Sequence, residues 1–254
     1  MLNESGLDRA RRRLGQFSGE DLKRQLWFLR GSLTTLASAS RPLARLRRSP
    51  STETGVAFDR AQLLAASCAV GERLAETALQ GTEDTSWIGL NLVRQNQWVL
   101  VPLGLDFYDG VPGIALFLAY LGSISEKDRY TNLARGALQT IQRRLDPRSR
   151  KKGFNKIGGF VGWGGLLYTL AHLGLLWDKP ALLDEAAQLV EELPDRIAQD
   201  NDLDIISGAA GCIASLLCPQ SCRPSARTGG ETADCRHRAK HPQTWLALRQ
   251  PACC

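Results

Sequence analysis

Two sets of residues in this 254-residue chain could do chemistry. The first is a pair of carboxylates placed just ahead of glycine-started apolar segments: Asp109 before Gly110-Val-Pro-Gly113, and Asp204 before Ile-Ile-Ser207-Gly208-Ala-Ala-Gly211. Two carboxylates facing one another at roughly 5 to 10 Å suit glycoside hydrolysis, so Asp109 and Asp204 are candidates for such a pair. A carboxylate ahead of a helix also has a plainer role, facing the positive end of the helix dipole, and spacing alone leaves both readings of Asp204 open. The second set is Cys218-x3-Cys222-x12-Cys235 with His237 and His241, which imitates the ligand spacing of a zinc finger. It lacks the apolar residues on which such a finger packs, so the arrangement reads as accidental and no metal ligand is assigned. The run Arg148-Ser-Arg-Lys-Lys152 is a basic turn that could touch an acidic peptide. No glycine loop of the Walker or kinase type is present.

The elements that must position these residues are helices. Asp109-Gly110-Val-Pro-Gly113-Ile-Ala-Leu, Val161-Gly162-Trp-Gly-Gly165-Leu-Leu-Tyr and Ser207-Gly208-Ala-Ala-Gly211-Cys-Ile-Ala align as three copies of one unit, Gly-x-x-Gly running into an apolar helix. Repetition at about 50 residues is expected of an array of helical hairpins. Between the glycine helices lie more polar ones. Residues 128–145 turn Tyr130, Leu133, Ala137, Leu138 and Ile141 inward; residues 180–198 turn Leu182, Leu183, Ala186, Leu189, Val190, Leu193 and Ile197 inward. Helices apolar all round belong inside and helices with one solvated face belong outside, so the pattern predicts an all-α, double-ring α/α toroid. Asp109 and Ser207 are the expected N-caps. Upstream, Ser18 and Asp21 open a helix over 18–37 with Leu22, Leu26, Leu29, Leu33 and Leu36 on one face, and a second helix covers 59–79. Residues 86–104 read as a small β-hairpin or irregular excursion.

The formal net charge of +6 is concentrated at the two ends. Residues 1–50 carry eleven Lys or Arg against four acids and residues 218–254 carry six against two, which leaves the body between them slightly acidic. That distribution argues against a nucleic-acid partner, which needs a basic stripe interleaved with aromatics. The opening residues predict no secretory leader, no apolar run is long enough to span a bilayer, and five of the seven cysteines crowd into the last 37 residues, so a cytoplasmic protein is expected.

Three segments carry a family resemblance: Leu105-Asp-Phe-Tyr-Asp109-Gly-Val-Pro-Gly-Ile-Ala-Leu, Gly158-Gly-Phe-Val-Gly-Trp-Gly-Gly-Leu-Leu-Tyr, and Asp202-Leu-Asp-Ile-Ile-Ser-Gly-Ala-Ala-Gly. They resemble the cyclase domain of class II lanthipeptide synthetases. Gln25-Leu-Trp-Phe-Leu-Arg-Gly-Ser-Leu with its Pro- and Arg-rich sequel resembles the stretch that joins the dehydratase part of those enzymes to the cyclase. The resemblance implies addition of a precursor-peptide cysteine thiol to dehydroalanine or dehydrobutyrine, forming a thioether ring. It implies a zinc ion that lowers the thiol pKa, held by two cysteines and a histidine in Trp-Cys and Cys-His-Gly settings. Neither setting occurs in this sequence. What carries over is Asp204, which matches the family's active-site aspartate and would orient the acid–base partner.

The expected organisation is therefore a helix and linker over 1–55, a partial toroid over 56–217, and a disordered tail over 218–254 that resembles an out-of-frame end. Such a chain is expected to be derived from a lanthionine synthetase yet inactive alone, with no cofactor of its own. Two other readings stand beside it: a toroid glycosidase using Asp109 and Asp204, and a non-catalytic module that grips a precursor peptide.

Overall fold

The computed structural model describes residues 5–38, 59–94, 97–146 and 154–221. Among them the chain is mainly helical and divides into two compact units, one of residues 1–56 with 88–102, the other of residues 57–87 with 103–254. Of the Cys/His cluster, Cys222, Cys235, His237 and His241 lie outside the described residues, as does the basic run 148–152.

The first unit holds helices α1 (Gly6–Gly15) and α2 (Gly19–Ser38) and the antiparallel strands β3 (Ile88–Arg94) and β4 (Gln97–Pro102). The reciprocal cap foreseen at Ser18 is present: the Ser18 amide donates to Asp21 at 2.9 Å and the Asp21 amide donates to the Ser18 hydroxyl at 3.2 Å. α1 is a short, strongly charged helix with no buried residue, and its few apolar side chains did not mark it as a helix. The face of α2 that the sequence turns inward stays open among the described residues, with Leu22, Leu29, Leu33 and Leu36 all exposed. The excursion over 86–104 is a true hairpin, with Ile88 opposite Pro102 and Leu90 opposite Leu100. β4 packs on α2, where a Cβ on Gly31 would lie 2.8 Å from a Leu100 methyl.

The second unit holds α3 (Arg60–Thr77), the short strands β1 (Leu79–Gln80) and β2 (Thr85–Ser86), and the glycine helices α4 (Val111–Ser125), α6 (Trp163–Leu176) and α9 (Ala209–Ser221). The polar helices are α5 (Asp128–Leu145), α7 (Pro180–Glu191) and α8 (Leu193–Ile197). The glycine helices pack on one another in order, α4 on α6 and α6 on α9, while α5 lies against α4 and α7 against α6. This is the inner-row, outer-row arrangement of an incomplete α/α toroid. The α5 prediction holds to its ends, and Tyr130, Leu133, Ala137, Leu138 and Ile141 are all buried. The helix expected over 180–198 is two helices, interrupted at Glu192. Pro194 cannot donate the intrahelical bond that a continuous helix needs. Val190 and Ile197, expected inward, are exposed, whereas Leu182, Ala186, Leu189 and Leu193 are buried.

What joins the glycine helices is a set of backbone bonds between the three loops that precede them, here called elbows. The amides of Phe107 and Tyr108 in the first elbow donate to the Phe160 carbonyl in the second, at 2.9 and 3.0 Å. In turn Ile157 and Gly158 donate to the Ser207 carbonyl, Gly159 to Ile205, and Phe160 and Val161 to Ile206, all in the third elbow. Such contact demands missing side chains. A Cβ on Gly211 would lie 2.0 Å from the Ile205 oxygen and 2.3 Å from the Gly159 nitrogen, and Gly162 has a φ of 116°, which L side chains rarely adopt.

Gly211→Ala should therefore cost about 2 kcal/mol or more in unfolding free energy, whereas Gly104→Ala, whose Cβ would meet nothing nearer than 3.7 Å, should change it by less than about 0.5 kcal/mol. Urea titration of the two variants checks this; equal effects would mean that the elbow contact is not tight.

Candidate functional site

Asp204 sits in the third elbow, and its environment is set by the backbone. Its Oδ1 accepts the amide of Ser207 at 2.7 Å and of Gly208 at 3.0 Å, and the Ser207 hydroxyl at 3.3 Å. The Ser207 amide bond is the chief reason that the Asp204 carboxyl titrates below the ordinary aspartate range, with the Gly208 amide adding to it. The residue is exposed, so its other oxygen faces solvent. The carboxylate is ionised at neutral pH.

A second carboxylate closes the same loop. Asp200 accepts the Ala209 amide at 2.9 Å and the Leu203 amide at 3.3 Å through Oδ2, while its Oδ1 takes the Asp202 amide at 3.3 Å. Leu203, between them, has a φ of 53° and so occupies the left-handed region. Asp202 pairs with Lys156 of the second elbow, which lowers its carboxyl pKa. Three aspartates and one lysine thus crowd the start of α9; Asp200 accepts its first amide, at Ala209, and Asp204 holds the two amides just before it.

The caps differ from those expected. Gly110, not Asp109, is the N-cap of α4, and no side chain caps that helix. Ser207 does not cap α9; its hydroxyl donates to Asp204, and the Gly208 carbonyl accepts the first helical bond, from Cys212 at 3.3 Å. Asp109 is exposed and acts on a different carboxylate, Asp106. Asp106 is half-buried, and burial first and the Asp109 charge second push its pKa up, partly offset by the Gly162 amide that it accepts. Asp106 was missed because nothing in Leu105-Asp-Phe-Tyr-Asp109 distinguishes it from a surface residue. The carboxylate that bears on Asp204 is Asp202, so the described contacts do not join Asp109 and Asp204 as a glycosidase pair.

The inner row also brings together a ring cluster. The Tyr120 hydroxyl on α4 lies 2.7 Å from His172 Nδ1 on α6, and the Tyr168 ring lies 4.1 Å from the imidazole. His172 is buried, and desolvation lowers its pKa, so it is neutral at pH 7. Trp163 is fully buried, with its indole donating to the Phe154 carbonyl at 3.0 Å and the Arg196 guanidinium 4.0 Å above its ring, and so is a core residue.

The residues at hand do not make a zinc site. Among the described residues no three His, Cys, Asp or Glu side chains converge on a metal-sized point. Cys212 is buried on α9, and burial raises its thiol pKa, the opposite of what a metal-bound thiolate needs. No helix among the described residues is long and apolar enough to cross a membrane.

Residues 101–224 match the family described as lanthionine synthetase C-like protein. The matched region takes in all three elbows, Asp106 and Asp204. No curated protein matches the chain.

Two titrations follow from these environments. The Asp204 carboxyl, followed by carbon NMR, should titrate below an aspartate in a short unstructured peptide; a midpoint at or above that reference would show that the amide bonds are not kept in solution. For His172 the folded pKa lies below the unfolded value of about 6.5, so stability is full above that pH and declines as pH falls through the folded pKa. Unfolding free energies measured from pH 7.5 to 5.5 should show the decline, and His172→Gln should flatten it.

Proposed function

We propose that this chain is the glycine-helix portion of a class II lanthipeptide synthetase cyclase, a cytoplasmic protein that handles a precursor peptide bearing cysteine and dehydrated serine or threonine. The observation that carries this reading is the third elbow. There the family-matched region places an ionised carboxylate, Asp204, with one oxygen fixed by two amides and the other open.

The chemistry consistent with that carboxylate is limited. In thioether formation the thiolate sulfur bonds to the β-carbon of the dehydroamino acid, the double-bond electrons move to the α-carbon and carbonyl as an enolate, and a proton is delivered to the α-carbon. An aspartate held below its usual pKa is a poor proton donor at neutral pH. It is suited to holding a cationic acid, such as an imidazolium, in a fixed orientation, and that is the role we assign to Asp204. His172 is not that acid, because burial keeps it neutral and its Nδ1 is engaged with Tyr120.

The zinc that the family resemblance implies would supply thiol activation, but the described residues do not fit it. We therefore propose that the chain binds its peptide without closing rings by itself. A synthetic peptide with one cysteine and one dehydroalanine tests both parts. Saturable binding is expected by fluorescence anisotropy, and the peptide thiol should remain fully alkylatable after incubation with the protein and zinc. Absence of binding overturns the cyclase reading, and a thiol protected from alkylation overturns the proposed inactivity.

A further inference from the structure

We infer that the chain self-associates head to tail, the exposed face of α9 on one copy seating against the open face of α4 on another. The inference rests on the repeat and on what each helix buries.

Aligning the three units on Gly113, Gly165 and Gly211 puts Ala210, Ile213, Ala214 and Leu217 of α9 in register with Pro112, Ala115, Leu116 and Ala119 of α4, and with Gly164, Leu167, Tyr168 and Ala171 of α6. In α4 all four are buried, and in α6 all but the half-buried Tyr168 are. That is the face each inner helix presents to its successor in the row. In α9 the same four positions are exposed, Ile213 by 57% and Leu217 by 55%. They form an i, i+3, i+4, i+7 stripe with no polar side chain, where a helix facing water would carry one. The elbow repeats the pattern. The Phe107 and Tyr108 amides, and in the next unit the Gly159 and Phe160 amides, donate to the following elbow. Among the described residues the equivalent amides of Ile205 and Ile206 have no acceptor, and both side chains are exposed.

The complement of this edge is on the same chain. A groove of about 380 Å3 is lined by Leu64 and Ser67 of α3, Phe107 of the first elbow, Leu116 and Leu121. It takes in Gly113, Phe117, Tyr120 and Ile124 of α4, a stripe equivalent to the one through which Gly165 and His172 of α6 meet Phe107 and Tyr120. The Tyr108 carbonyl, the counterpart of the Phe160 and Ile206 carbonyls that accept from the preceding elbow, has no donor among the described residues. One edge thus offers amides and an apolar ridge, and the other offers a carbonyl and an apolar groove. A contact between unlike edges is heterologous and propagates head to tail. The α4–α6 and α6–α9 interfaces already show its geometry, which is why a second copy of this chain is the occupant assigned.

The test uses the full chain in sedimentation equilibrium. Wild type should show a mass that rises with concentration. Ile213→Asp and Ile124→Asp change exposed residues on opposite edges, and circular dichroism confirms that each variant is folded. Each variant alone should sediment as a monomer, and an equimolar mixture should regain a dimer, because each partner keeps the edge the other has lost. A monomeric wild type overturns the inference, as does an Ile213→Asp mass equal to that of wild type. A mixture that stays monomeric overturns it equally, as does an Ile124→Asp variant that dimerises alone, the result expected if α9 met α9.

Discussion

The backbone contact between successive elbows is the constraint on which the second unit depends. Five amides of residues 157–161 reach carbonyls of residues 205–207, and two amides of the first elbow reach Phe160. Bonds of this kind bring main chain against main chain, which leaves no room for a Cβ at Gly211 or Gly158. Because the elbows are fixed at one end, the helices that leave them are forced side by side. An inner helix with neighbours on both sides is surrounded, and α6, between α4 and α9, accordingly has Leu166, Leu170 and Leu173 fully buried. The polar helices then have only the outside to occupy. α5 is the clearest case, with one apolar face against α4 and a charged face outward.

The same loops gather the carboxylates. Asp106, Asp200 and Asp204 each accept backbone amides, so their positions follow from the path of the main chain. Their protonation nevertheless diverges. Asp204 is exposed and its two amide bonds dominate, lowering its pKa, whereas Asp106 is half-buried beside another negative charge and is raised. Identical chemistry is thus tuned in opposite directions by burial and by neighbouring charge, within one repeated structural element.

Much of this was legible in the residues. The three Gly-x-x-Gly units and the period of α5 locate the inner row and its outer partner, because both depend on local spacing. Other features depend on contacts that spacing does not encode. The break at Glu192 comes from one proline whose effect the apolar run through Ile197 concealed. The capping exchange, with Asp200 rather than Ser207 accepting the first amide of α9, joins residues nine apart across a loop that contains a left-handed Leu203, which no residue type announces. Asp106 acquires its environment from Gly162, more than fifty residues away. The leucine face of α2 marks a helix correctly, but amphipathicity reports only that a face is apolar, not that the chain covers it.

The elbow also limits what Asp204 can do. One of its oxygens is committed to the Ser207 and Gly208 amides, and releasing it would leave without a partner the two amides that lead the chain into α9. Any group that engages Asp204 must therefore approach the other oxygen, from the solvent side, and meet a carboxylate whose position is already fixed. Protonating that carboxylate weakens the amide bonds, so proton transfer through Asp204 would be opposed by the same contacts that hold it in place. A fixed, persistently negative group does not need to give up a proton to be useful. It stabilises a cation beside it and sets the direction in which that cation's proton points. That is why the structural role of Asp204 in holding the elbow amides and its assigned role as an orienting carboxylate are compatible, and why replacing it by asparagine would separate the two.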